Sequence, residues 1–127
     1  MKRAGILNAS LNAGLSRLGH GDLVVVADCG LPVPPGVPFV DLALVHGVPR
    51  FEDVLDALLG DAVFETCVAA TEAQGTVADE WLTARFDRVD HIGHEALKER
   101  SSDARLFIRT GEATPFANAL LYCGVPF

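Results

Sequence analysis

Leucines near the amino terminus recur at helical spacing. Leu11, Leu15 and Leu18 lie four and three residues apart, and Asn8 precedes them. This pattern predicts an amphipathic helix with Asn8 as its N-cap and Gly19 as its stop. The helix would present its leucine stripe to a core.

The next segments change from helical to extended patterning. Residues 23–27 are all apolar, which predicts a strand covered on both faces, as in α/β sheets with helices packed on each side. Residues 31–38 contain four prolines, too many for a helix or a central strand, and predict a stiff loop. Residues 39–44 predict a second strand.

The remaining pattern alternates helices with strands. It predicts a helix introduced by Pro49 and ended by Gly60, strands at 63–70, 89–92 and 105–110, and helices at 77–86 and 95–100. The apolar residues 118–125 are compatible with helix or strand, and the flanking Pro115 and Gly124 favour a strand. The order α-β-β-α-β-α-β-α-β-β predicts one compact α/β domain over residues 1–127, a layered sheet with helices on both faces.

Composition narrows the class of partner. The 127 residues carry 17 acidic and 10 basic side chains, a formal charge of -7, and no basic cluster. A nucleic-acid partner is therefore not expected, because phosphate binding depends on a basic face. Half of the residues are hydrophobic, more than a small polar monomer needs, which indicates subunit contacts. Polar residues interrupt the apolar start of the chain, so we expect no membrane or secretory segment.

The cysteines point to a reducing compartment. Cys29, Cys67 and Cys123 are odd in number, lie in apolar surroundings and show no CxxC spacing. They fit buried thiols of a cytoplasmic protein better than disulfides or a zinc site.

Two polar residues flank the first predicted strand. Asp28 follows residues 23–27 directly, and ligands of open α/β sheets bind beyond the carboxyl ends of strands. His20 precedes the strand, and its loop could return the imidazole toward a pocket, where it would act as a general acid or base. Simpler interpretations remain open: His20 could interact with the dipole of the preceding helix, and Asp28 could cap the turn that follows it.

The other histidines give no metal signature. His91 and His94 form an H-x-x-H pair, but residues 89–92 are strand-like, and positions three apart on a strand face opposite ways. No cysteine or glutamate completes a zinc ligand set, so we expect no metal site. His46 is expected in a solvated loop.

A second polar loop follows the strand at 105–110. Residues 109–118 carry Arg109, Glu112 and Asn118, and the loop could close on the same sheet edge as Asp28. A simple turn held by Gly111 and Pro115 is the alternative. No glycine-rich nucleotide motif and no GxSxG motif occurs, so nucleotide binding and serine hydrolysis have no support.

Several short motifs together resemble one family. They are GILN at 5–8, LGHGD at 18–22, ADCGLPVP at 27–34, IRTGE at 108–112, TPFAN at 114–118 and GV at 124–125. In this order and at these separations the chain resembles the D-ribose pyranase family, whose relatives include fucose mutarotase. The resemblance runs from the first residues to Phe127 and is poorest between Thr71 and His94.

The resemblance implies an activity, a site and an assembly. It implies a cytoplasmic mutarotase that interconverts the pyranose and furanose forms of D-ribose without metal or organic cofactor. His20 would be the proton donor, and Asp28, His94, Phe116, Ala117 and Asn118 would contact the sugar. His94 could either move a second proton or only bind. Family members form homo-oligomeric rings, commonly decamers of two pentamers, with sites at subunit boundaries.

One residue departs from the family pattern. The family usually has tyrosine where this chain has Phe116, so the aromatic ring remains but a hydroxyl near the sugar is lost. Three other functions therefore remain open. The protein could be a mutarotase for another monosaccharide such as fucose, a sugar-binding protein without catalysis, or a ring-forming protein with a decayed site. A small metal-dependent hydrolase using His20, Asp28 and His94 ranks last.

Overall fold

The computed structural model describes residues 1–127 and contains six strands and four helices. The helices are α1 (Ala9–Leu15), α2 (Phe51–Asp61), α3 (Val77–Thr83) and α4 (His94–Arg100). The strands are β1 (Leu23–Ala27), β2 (Phe39–Asp41), β3 (Phe64–Ala70), β4 (Val89–Ile92), β5 (Leu106–Arg109) and β6 (Ala119–Cys123). Single 3₁₀ turns lie at Thr71–Ala73 and Ser101–Asp103. The predicted order of elements is confirmed.

The strands form one mixed sheet in the order β2-β5-β1-β6-β3-β4. β1 pairs parallel with β5, β5 with β2, and β3 with β4, while β6 runs antiparallel between β1 and β3. Strands β1 to β5 therefore all end at one edge of the sheet, called the carboxyl edge below, and β6 begins there. The opposite edge is called the amino edge.

Helices cover both faces of the sheet, as predicted. One face packs Val24 and Val26 of β1 against apolar residues of α1, α2 and α3, including Phe51 and Leu55. The other face packs Val25 with Leu97 of α4 and with the proline-rich loop. Every residue of β1 is buried, which explains why its sequence is apolar without alternation.

The second strand is shorter than the predicted 39–44, because the chain turns away from the sheet after Asp41. The Asp41 carboxylate accepts a hydrogen bond from the Ala43 N–H at 3.1 Å, which closes an Asx-type turn. The Leu44 N–H then donates to the Val48 carbonyl at 3.0 Å instead of to a strand. Local side-chain bonding thus ends the strand early.

The first helix begins as predicted and ends before the predicted stop. The Asn8 side chain accepts from the Leu11 N–H at 2.8 Å, so the N-cap is confirmed. The helix ends at Leu15 with Ser16 as its C-cap, well before Gly19. His20 therefore lies five residues beyond the helix, where the dipole has little effect, and the helix-end interpretation of His20 is wrong.

The other helix ends differ by a few residues from the sequence pattern. α2 continues through Gly60 to Asp61, and α3 ends at Thr83 rather than at Phe86. Cys67 and Cys123 are buried free thiols as expected, while Cys29 is half-buried. No helix is long and apolar enough to cross a bilayer.

Candidate functional site at the carboxyl edge

Asp28 lies directly beyond the carboxyl end of β1, where the sequence places it. Its Oδ1 accepts hydrogen bonds from the N–H groups of Gly30 and Leu31 at 2.9 and 2.8 Å. Its Oδ2 accepts from Nδ2 of Asn118 at 3.0 Å. The turn-capping interpretation is thus correct, and it also fixes the carboxylate in one orientation at the sheet edge.

Asn118 reaches the same edge because β6 runs antiparallel to β1 and begins there. The side chain is fully buried, and its Oδ1 accepts the Asp28 N–H at 2.9 Å. Its neighbour Ala117 is also fully buried and packs in the core. Both residues therefore lie beneath the cleft and support it from within the core.

His94 and Phe116 form an aromatic wall beside Asp28. Their ring centroids lie 5.2 Å apart at an interplanar angle of 81°. His94 is the first residue of α4, and its backbone N–H donates to the Glu72 carboxylate at 2.9 Å. Its Nδ1 atom is buried without a hydrogen-bond partner. Phe116 has a φ of 62°, a left-handed conformation that is uncommon outside glycine and often found at binding sites.

These residues line a cleft of about 290 Å³, close to the lower size limit of small-molecule pockets. The lining residues are Asp28, Gly30, Leu31, Pro32, His94, Lys98, Pro115 and Phe116. Lys98 escaped the sequence analysis, although its position four residues after His94 on a helix places both side chains on one face. A larger cavity of about 480 Å³ lies elsewhere, next to Arg17 and Arg105, and contains no predicted site residue.

Glu112 holds the loop that carries Phe116. Its carboxylate accepts the Phe51 N–H at 3.1 Å, the Thr114 N–H at 3.2 Å and the Thr114 hydroxyl at 2.9 Å. Burial opposes ionisation of Glu112, but these hydrogen bonds outweigh it and lower the pKa of the carboxyl. Glu112 thereby ties the loop to the start of α2.

Gly111 permits a close approach that fixes the same loop. A Cβ atom at this position would collide with the backbone of Val48.

Arg109 also lies at the carboxyl edge, where its guanidinium pairs with Asp41 and holds the pKa of that carboxyl below its ordinary value. The loop at 109–118 does close on the edge occupied by Asp28, as predicted.

His20 lies at the amino edge, away from the cleft. It precedes β1, whereas Asp28 follows it, and the five residues of β1 span about 16 Å. The loop therefore does not bring His20 to the cleft beside Asp28 of its own chain. The His20 side chain is 60% exposed, and its Nε2 lies 3.2 Å from Oε2 of Glu65.

The remaining histidines behave as the sequence suggests. His91 lies on β4, and its Nε2 pairs with Oδ1 of Asp79 at 2.7 Å. This contact gives that ring nitrogen a hydrogen-bond partner within the protein. His46 is exposed in a loop. No group of three or more histidine, cysteine, aspartate or glutamate side chains is placed to hold a metal ion.

The model of the RbsD / FucU transport protein family matches residues 1–126. The chain belongs to this family. A protein of Cutibacterium acnes named D-ribose pyranase is 45% identical over 127 residues, and one of that name from Streptomyces coelicolor is 51% identical over 129 residues. Both matches cover the whole of this chain and the whole of the relative.

A solved structure has the same fold over its full length. It is Bacillus subtilis RbsD complexed with D-ribose, which superposes with a TM-score of 0.94 at 41% identity and covers all of both chains. Family membership and fold are thus established by full-length matches. The agreement includes the stretch between Thr71 and His94, where the sequence resemblance was poorest.

Proposed function

We propose that this protein is a mutarotase that interconverts the pyranose and furanose forms of D-ribose. The observation that carries the proposal is the meeting of Asp28, His94 and Phe116 at one cleft of the sheet edge. It is supported by full-length relatives that are named D-ribose pyranase. These are the side chains that the resemblance assigns to the sugar.

The cleft offers complementary contacts to a monosaccharide. Oδ2 of Asp28 accepts one hydrogen bond from Asn118 and keeps a lone pair for a sugar hydroxyl. The ring of Phe116 provides an apolar surface for a sugar face, and His94 provides a ring nitrogen. In this proposal Asn118 acts by orienting Asp28, and Ala117 acts by packing beneath the cleft, because both residues are fully buried.

The reaction needs only proton transfers at oxygen. The acid gives a proton to the ring oxygen as the bond from that oxygen to the anomeric carbon breaks, and the bonding pair stays on the oxygen. A base removes the anomeric hydroxyl proton, and a carbonyl forms. A different hydroxyl then attacks this carbonyl and loses its proton to the group that acted as the acid. The protonated base returns its proton to the carbonyl oxygen, so both groups regain their starting protonation states. No electron carrier or covalent nucleophile takes part, so an imidazole and hydrogen-bonding side chains suffice.

We assign the acid to His20 of a second copy of the chain. Within one chain β1 separates His20 from Asp28, so one molecule does not bring the proton donor to its own cleft. A neighbouring copy that presents its amino edge to this carboxyl edge would complete the site. The resemblance also implies sites at subunit boundaries.

Exposed apolar residues lie next to both halves of the site. Leu44 and Val45 are 77% and 61% exposed and border a depression shared with Cys29, which follows Asp28. Val63 and Val125 are 43% and 38% exposed and line the depression that contains His20. Contact between two different surfaces is head-to-tail and closes into a ring when the rotation permits. We therefore propose a homo-oligomeric ring, with the decamer of two pentamers that the family resemblance implies.

The compartment follows from the same proposal. We place the protein in the cytoplasm, where free thiols such as those of Cys29, Cys67 and Cys123 persist in the reduced form.

The decisive experiment is magnetisation-exchange NMR on D-ribose, because mutarotation changes neither mass nor equilibrium. The wild-type protein should accelerate pyranose to furanose exchange, and His20→Ala should reduce this acceleration by about 100-fold or more. Thermal stability should change little in the variant, because the imidazole is exposed in the single chain and pairs only with Glu65. Particle size should stay the same, because we attribute the contact between copies to the exposed apolar residues around the site. Ribose binding without faster exchange would refute the enzymatic activity and indicate a sugar-binding protein. A larger acceleration of exchange with L-fucose than with D-ribose would refute D-ribose as the preferred substrate.

A further inference from the structure

His20 and Glu65 form a polar pair at the amino edge. Both carboxylate oxygens of Glu65 lie near Nε2 of His20, at 3.2 and 3.3 Å. No other polar side chain contacts the imidazole. An acceptor at Nε2 places the proton of the neutral ring on that nitrogen and leaves Nδ1 free.

Glu65 reaches His20 because β3 is irregular at this point. The pairing with β6 shifts between Phe64 and Thr66, so Glu65 is the extra residue of a β-bulge. Bulges change the direction of a side chain and are common next to active sites. Gly124 of the adjoining strand end lies beside Glu65, and a Cβ there would lie 3.5 Å from Oε2 and 3.1 Å from the Val63 side chain.

The backbone of His20 is held as firmly as its ring. The Gly21 N–H donates to the Cys123 carbonyl at 2.8 Å, and the Cys123 N–H donates to the Asp22 carbonyl at 2.9 Å. The Gly19 N–H donates to the Asp22 carboxylate at 2.8 Å. A turn fixed on both sides of His20 and a carboxylate on its ring together hold the side chain in place before any ligand arrives.

We propose that Glu65 is a positioning residue for the mutarotase reaction, and that it orients His20 by accepting the Nε2 proton so that Nδ1 faces the sugar bound to the neighbouring copy. The carboxylate also stabilises the imidazolium while His20 carries the proton to be donated, as carboxylates paired with catalytic histidines do elsewhere. In the single chain the pair is half-exposed and screened by water. Coverage by a second copy removes that water and strengthens the pair. This inference rests on the proposed function and on the assignment of the acid to His20.

The test compares two substitutions of Glu65 with one matched control. Glu65→Gln keeps the length and loses the charge, Glu65→Asp keeps the charge on a shorter side chain, and Glu99→Gln alters an exposed glutamate of α4 whose side chain makes no hydrogen bond. The rate and KM of ribose exchange come from magnetisation-exchange NMR at several ribose concentrations. Light scattering reports the assembly, and long-range ¹H–¹⁵N correlation reports which nitrogen of His20 carries the proton.

Glu65→Gln should lower kcat about tenfold, since the hydrogen bond to His20 no longer has a charged acceptor, and should leave KM within about twofold. Its amide can donate to Nε2 as well as accept from it, so the neutral ring should change from the Nε2–H form to a mixture. Glu65→Asp should recover part of kcat, and Glu99→Gln should match the wild type.

Three results for Glu65→Gln would overturn the positioning role. The first is an unchanged kcat, and the second is an unchanged nitrogen spectrum of His20. The third is a joint loss of kcat, ribose affinity and assembly, which would make Glu65 a structural residue of the subunit contact. A wild-type protein without exchange activity would instead refute the proposed function. In that case the nitrogen spectra would still show whether Glu65 determines which nitrogen of the His20 ring carries the proton.

Discussion

Asp28 and Asn118 are joined by two hydrogen bonds across the boundary between β1 and β6. The Asp28 N–H donates to Oδ1 of Asn118 at 2.9 Å, and Nδ2 of Asn118 donates to Oδ2 of Asp28 at 3.0 Å. The pair brings together residues 90 positions apart in the chain. The orientation of the cleft carboxylate therefore depends on the segment that leads into β6.

The Asn118→Ala substitution should weaken ribose binding through Asp28. It removes both hydrogen bonds and leaves a part-buried N–H unpaired, which costs about 1 to 3 kcal/mol of stability. KM should rise severalfold. Because Asn118 acts through Asp28, the double variant Asp28→Ala/Asn118→Ala should bind ribose no more weakly than Asp28→Ala alone. Additive losses in KM, measured by exchange NMR, would show that Asn118 contacts the sugar independently.

Mixing two inactive variants should restore activity if the site is shared between copies. His20→Ala has lost the proton donor, and Asp28→Asn has lost the cleft carboxylate, yet a contact between the two can contain both wild-type halves. After denaturation and joint refolding in equal amounts, random head-to-tail rings should recover about one quarter of wild-type exchange activity. Each variant refolded alone is the control. No recovery in mixed oligomers of full size would contradict the shared site.

Phe116→Tyr should strengthen ribose binding. The aromatic ring borders the cleft, and a phenolic hydroxyl at its tip adds one polar contact, worth about 0.5 to 1.5 kcal/mol or about two- to tenfold in KM. The left-handed backbone at Phe116 does not oppose the change, because both residues have the same β-carbon geometry. Phe39→Tyr, on the partly exposed β2, is the control for a generic effect of the hydroxyl. A higher KM in Phe116→Tyr would mean that the ring does not face the sugar.

Acid should destabilise the wild type partly through Glu112. The pKa of this carboxyl is lower in the folded protein than its ordinary value of 4.5, so its contribution is present above that pH and is lost as pH falls through the folded pKa. Glu112→Gln should therefore lower the free energy of unfolding by about 1 to 3 kcal/mol at pH 7. The difference from the wild type should shrink below pH 4.5. Urea unfolding at several pH values, with Glu99→Gln as the control, measures both effects; a difference that grows in acid would contradict this account.

The sequence predicted the order of elements well because local patterns determine them. The unbroken apolar run at 23–27 gave a strand buried on both faces, and Asn8 gave a helix start that the structure confirms. Element ends were less accurate, since single side chains set them. The carboxylate of Asp41, for example, turns the chain away three residues before the predicted end of β2.

The candidate site was predictable only in part. The rule that ligands bind at the carboxyl ends of strands located Asp28, and the polar loop after β5 located the segment that carries Phe116. The rule assigns no edge to a residue that precedes a strand, so the sequence left open whether His20 and Asp28 of one chain lie together. Glu65 was missed because a β-bulge, which no periodic pattern reveals, aims it at His20.

The position of β6 has a consequence for synthesis of the chain. This last strand is inserted between β1 and β3, and without it the sheet consists of two separate pieces, β2-β5-β1 and β3-β4. Each piece would expose an unpaired strand edge, a surface prone to incorrect pairing. The two pieces can join only after residues 119–123 have left the ribosome, so neither the single sheet nor the contact by which Asn118 orients Asp28 can form before β6 has emerged.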